Sequence, residues 1–170
     1  MYKISRFAIY LTLFLSLLLE LTVLNHIKIF GSAPDLLLVC VVFFALFQGP
    51  WMGLETGIAA GLFKDLFALD FFGINIFIFA VTGLFAGAIR AKFFKESRMT
   101  QFILVVFFTV FSMILHYALV SILSKYSNLN FSDYLITSVT PTAVYTALVS
   151  VPIFGKFIEM YNLKEPEDFL

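Results

Sequence analysis

Long apolar runs occupy most of this chain, separated by short interruptions of charged, glycine or proline residues. A membrane-crossing helix needs about 20 mostly apolar residues, and the pattern predicts six such spans. They lie near Phe7 to Leu24, Pro34 to Phe47, Met52 to Phe67, Gly73 to Ile89, Thr100 to Leu123 and Tyr134 to Phe157. Pro34 and Pro50 each suit a first helical turn, where the missing N–H costs nothing. Gly49 and Pro50 leave almost no link between the second and third spans, which predicts a tight hairpin. The brief loop around Asp70 to Gly73 predicts another. Ser124 to Asp133 reads as an external loop, with Ser132 and Asp133 able to cap the last helix. Pro141 and Pro152 should bend that helix.

Within the third span, glycine stands at every fourth position through Gly49, Gly53, Gly57 and Gly61, and Asp65 takes the next place. Residues four apart lie nearly above one another on a helix, so the stripe is a groove of roughly 24 Å at about 1.5 Å per residue. In water each interior glycine costs about 1 kcal/mol against alanine. In lipid, where helices associate by close packing, small residues let one backbone approach another. Gly83, Gly87 and Ala91 form a shorter stripe on the fourth span. These faces are expected to pack on each other or to receive a partner's helix, with Gly53, Gly57, Gly61, Asp65, Gly73, Gly83 and Gly87 as the packing residues.

Composition sharpens the choice of solvent. The chain is 61% hydrophobic and 13% charged, against about 45–50% and 25% in a soluble domain. No polar half is left for a separate soluble unit, so residues 1–170 read as a single all-α transmembrane domain of six helices. The formal net charge is zero, which argues against nucleic acid as a partner. With the amino terminus in the cytoplasm, Lys3, Arg6, Arg90, Lys92, Lys95, Arg98, Lys156 and Lys164 fall inside, and only Lys28, Lys64 and Lys125 outside. This positive-inside bias places both termini in the cytoplasm. The first apolar run continues to His26 and Lys28 without a small-residue cleavage site, so it is expected to remain as a permanent span. Cys40, the single cysteine, can form no internal disulfide.

Ionisable groups within spans are costly, at about 2.5–3.5 kcal/mol on insertion scales, and each needs a partner or a role. The candidates are Glu20, Glu55, Lys64, Asp65 and His116. Glu20, Asp65 and His116 each stand roughly 20 Å from the inner ends of their helices at about 1.5 Å per residue. Together with Lys64 they predict a buried polar cluster lining an outward cavity, unless they satisfy one another as bundle glue or, for Lys64, reach the outer headgroups. Asp65, at the end of the glycine stripe, is the strongest of the four. Its carboxylate is expected to accept from His116, Lys64 or a partner's helix end. Glu55 lies near the inner surface. The Phe102, Phe107, Phe108 and Phe111 run reads as lipid-facing bulk, and Asn130-Phe131-Ser132 matches a glycosylation acceptor with little information. The sequence contains no phosphate loop, no metal-spaced His and Cys set and no nucleophile with a base beside it. Neither catalysis, nor a metal, nor a cofactor is expected.

Ala33-Pro34-Asp35-Leu36-Leu37-Leu38, then Gly57-x-x-x-Gly61-x-x-x-Asp65-Leu66, then Gly73, resembles in order and spacing the bacterial rod shape-determining MreD family. Length, six spans and cytoplasmic ends agree. Where that family often carries tryptophan late in the second span, this chain has Phe43 and Phe44. The resemblance implies a non-catalytic scaffold in the bacterial inner membrane that binds MreC and supports side-wall peptidoglycan synthesis. It implies the MreB filament, a RodA-type polymerase and a class B penicillin-binding protein in the same assembly, with membrane lipid around it. It also implies a fold similar to the substrate-binding subunits of energy-coupling-factor transporters. A vitamin-binding subunit of such a transporter is therefore the alternative function, with Asn75, Asn128 and Asn130 as its polar contacts.

Overall fold

The computed structural model describes residues 4–24, 32–67, 71–93, 98–123, 131–161 and 163, and most of these are helical, with no strand among them. Helix α1, Arg6–Leu19, runs on into a wide π-helical turn, Glu20–Leu24. Then follow α2, Leu36–Gln48, α3, Pro50–Asp65, α4, Ile74–Phe93, and α5, Arg98–Leu123. The last helix, α6, is Phe131–Met160, with a second wide turn at Leu135–Val139. Lys3, His26, Lys28, Asp70, Lys95, Lys125, Asn128, Asn130 and Lys164 lie outside the described residues.

Helix α2 is apolar on every side, and a helix with no polar face belongs in an interior. All its residues from Leu36 to Gln48 are buried, and it touches each of the other five helices. At about 1.5 Å per residue its thirteen residues rise roughly 20 Å, short of the ~30 Å hydrocarbon core. The longer helices stand around it. Three are long and apolar enough to cross a membrane by length and composition, namely Arg6–Val23, Met99–Leu123 and Phe131–Met160, and Leu36–Gln48 and Ile74–Ile89 are shorter apolar helices. Their outer faces carry Phe7, Leu15, Ile103, Ile122 and Leu148, all exposed. A surface this apolar suits lipid and not water. Inside, one end of the core is aromatic: Phe43 meets Phe44, Phe47, Phe154 and Phe157 at ring separations of 4.5–5.4 Å.

Several sequence expectations need correction. Pro34 precedes α2 instead of opening it. Asp35 is the N-cap, held at a non-helical φ of −91° and ψ of 89°, and its carboxylate accepts from Leu38 N at 3.0 Å. An acceptor side chain at that point meets an N–H that the helix itself leaves unpaired. Ser132 and Asp133 sit inside the first turn of α6, since that helix begins at Phe131. Phe107 is 58% exposed, but Phe108 is 1% exposed and belongs to the core, because successive residues on a helix point about 100° apart. Pro50 does open α3. Pro141 follows the Leu135–Val139 wide turn after Thr140, so the helix widens just ahead of the residue that cannot donate an N–H.

Candidate functional site

The site is built on the α2–α3–α4 hairpins. Gly49 ends α2 at φ 101°, a left-handed value that favours glycine, and Pro50 starts the return at once. Helices α3 and α4 then lie backbone to backbone. A Cβ at Gly53 would overlap the Gly83 carbonyl, one at Gly57 the Phe79 carbonyl, and one at Gly61 the backbone at Asn75 and Ile76. From the other side, a Cβ at Gly83 would meet Gly53 and one at Gly87 would meet Pro50. Each four-residue step along α3 is thus matched by a four-residue step back along α4. The two stripes occupy each other, which leaves neither face open to a partner's helix. Gly73 takes no part in this packing: nothing lies within 4 Å of a Cβ there, and its φ of 100° marks it as a turn residue.

Asp65, 4% exposed, ends the ladder as a clasp. Its Oδ2 accepts from Gly73 N at 2.9 Å and Ile76 N at 3.1 Å, and its Oδ1 from Asn75 N at 3.2 Å and Asn75 Nδ2 at 2.7 Å. The first N–H groups of a helix have no partner within it, and a carboxylate there is further favoured by the helix dipole. Asp65 therefore spends its acceptors on the start of α4. It does not join Lys64 or His116, as the sequence had suggested.

Lys64 turns to a different pair. Its ammonium bonds Asp35 and lies 3.5 Å from Glu20 Oε1, with its nitrogen 5.2 Å from the centre of the Phe79 ring. Asp35 thus occupies the place in the cluster that sequence reasoning gave to Asp65. The signal for it was present: an Asp directly before an apolar helical run is a capping residue, and capping fixes the carboxylate at that helix end. What the sequence could not give is that the ends of α1, α2 and α3 converge there.

These groups line a partly open pocket of about 240 Å³. Glu20 comes from α1, Asp35 from the start of α2, Lys64 from α3 and Asn75 from α4. Helix α5 adds Thr109, Ser112 and His116, and α6 adds Tyr134 and Thr142. Of the predicted cluster, Glu20, Lys64 and His116 line the pocket, while Asp65 reaches it only through Asn75. At the opposite ends of α1 and α3, Glu55 accepts from Tyr10 Oη at 2.6 Å and pairs with Arg6 at 3.4 Å. That pair is solvent-facing and ties the two helices weakly. No group of three or more metal-ligating side chains is found among the described residues.

An apolar exterior, an all-helical interior and a small charged pocket at one end define a helical integral membrane protein. The chain belongs to the family of the rod shape-determining protein MreD, whose family model matches residues 1–163. Neither a curated protein nor a solved structure gives a match. Membership makes this a membrane protein of the rod-shape machinery and gives it a role in rod shape determination.

Proposed function

We propose that the chain is a single six-span, non-catalytic scaffold of the bacterial inner membrane that binds MreC and so helps maintain rod shape through side-wall peptidoglycan synthesis. The observation that carries this reading is the family match over residues 1–163. Both termini then face the cytoplasm, with the Arg6–Glu55 end inside and the pocket outside. MreB, a RodA-type polymerase and a class B penicillin-binding protein are the further members of the assembly.

The interlocked glycines support a rigid hairpin and speak against docking on the α3 and α4 stripes. MreC is accordingly assigned to the pocket end and to the apolar outer faces. The vitamin-binding alternative is weaker. A pocket of about 240 Å³ falls below the ~300–1,000 Å³ usual for drug-sized ligands. Purification of the tagged chain in mild detergent tests the proposal: MreC should co-purify. Recovery of the folded chain without MreC, from cells that contain both, would overturn it.

A further inference from the structure

The pocket is rich in hydrogen-bond acceptors whose capacity is unused. Thr109 donates its single hydroxyl hydrogen to Val105 O at 2.8 Å and Ser112 to Thr109 O at 2.9 Å, and Tyr134 lines the pocket beside them. A hydroxyl whose hydrogen is committed offers only lone pairs. Glu20 adds a carboxylate whose side chain is 17% exposed. Its two contacts, Lys64 Nζ and Leu37 N, both stand at 3.5 Å, beyond the usual 2.7–3.2 Å range for N–H···O bonds. Asp35, by contrast, has one oxygen bonded by Leu38 N at 3.0 Å and the other by Lys64. Lys64 is shared between the two carboxyls and lies closer to Asp35 than to Glu20, so Glu20 is the less well matched of the pair, and a poorly matched acid in so little water is costly. A ligand that offers several N–H donors and a positive charge answers both deficits.

The surroundings select the source. At the pocket end, Leu66 and Phe72 beside the α3–α4 turn and Ile122 at the end of α5 are all exposed. Acyl chains can lie on these residues while a headgroup enters the pocket. A soluble amine would make no use of them. We propose that the pocket binds the primary ammonium of an aminophospholipid, seated against Glu20 and the Thr109, Ser112 and Tyr134 oxygens.

The test uses the full-length protein in nanodiscs holding equal amounts of phosphatidylethanolamine and phosphatidylcholine with identical chains, followed by native mass spectrometry of the lipid retained. Choline keeps the charge but has no N–H. Retention should favour ethanolamine by about tenfold, as expected for charge-assisted hydrogen bonds. Glu20→Gln should bring the preference close to unity, and Ser112→Ala, which removes an acceptor with little risk to the fold, should reduce it severalfold. Phe107→Leu on the exposed face of α5 should leave it unchanged. Equal retention of the two lipids by the wild-type protein would overturn the proposal. So would an undiminished preference in both Ser112→Ala and Glu20→Gln.

Discussion

Asp65 and Lys64 are neighbours in sequence with separate tasks, and single substitutions should separate them. Asp65→Leu removes the acceptor for four hydrogen bonds and leaves the start of α4 unpaired, so a loss of about 3 kcal/mol or more is expected. Asp65→Asn keeps one oxygen but turns an NH2 toward two backbone N–H donors, and should cost roughly 1–2 kcal/mol. Thermal unfolding in detergent should therefore rank wild type above Asn above Leu; equal melting of wild type and Leu would contradict the clasp. Lys64→Met strands Glu20 and Asp35 without their cation. Breaking a buried pair costs about 3–5 kcal/mol, and because the Lys64 side chain is 27% exposed roughly 2–3 kcal/mol is expected here. Adding Glu20→Gln to Lys64→Met should recover part of that loss in the same assay. The ionisable residues were legible in the sequence because charge inside an apolar run is conspicuous. Their partners were not. Depth along separate helices placed Asp65 with His116, but hydrogen bonds depend on the turn that brings Gly73 and Asn75 back over the end of α3, and spacing does not encode that turn.

At the scale of elements, the α3–α4 hairpin is governed by backbone contact. The stripe itself was readable, since a period of four maps directly onto one helix face. Its occupant followed only from the register that sets Gly53 on Gly83 and Gly57 on Phe79. Even one methyl should therefore be felt. Gly57→Ala would place a Cβ against the Phe79 carbonyl, and overpacking of that kind costs about 1–3 kcal/mol. Gly57→Leu or Gly61→Leu should abolish folded protein. Phe107→Leu should stay close to wild type, because that side chain faces outward. Size-exclusion profiles and melting temperatures of these variants check the series, and glycine variants indistinguishable from Phe107→Leu would show the interlock to be incidental. The polar pocket was half legible by the same reasoning. Glu20, Lys64 and His116 marked it, but hydroxyls such as Ser112 and Tyr134 carry no sequence signal that separates a pocket lining from an ordinary helix face.

For the whole molecule, a short helix at the centre and longer ones around it produce both the apolar exterior and the recess at one end. The apolar runs revealed the helices readily because the hydrophobic requirement of a span is strong. The central position of α2 could be inferred only from its apolar residues on every side, a feature that lipid exposure would also permit. Topology can be tested with single cysteines, since the native Cys40 is buried and should give little background. Outside reagents should label Ser127→Cys in intact cells and leave Ser97→Cys untouched; the opposite result would invert the assignment. The central proposal is that this member of the rod-shape machinery acts as a non-catalytic scaffold. Its most direct test is depletion in the native rod-shaped host, with cell shape and labelled peptidoglycan followed together. Loss of rod shape, with swelling or rounding while peptidoglycan synthesis continues, is the predicted result. Cells that stay rod-shaped on depletion, and that instead acquire a vitamin requirement, would contradict it.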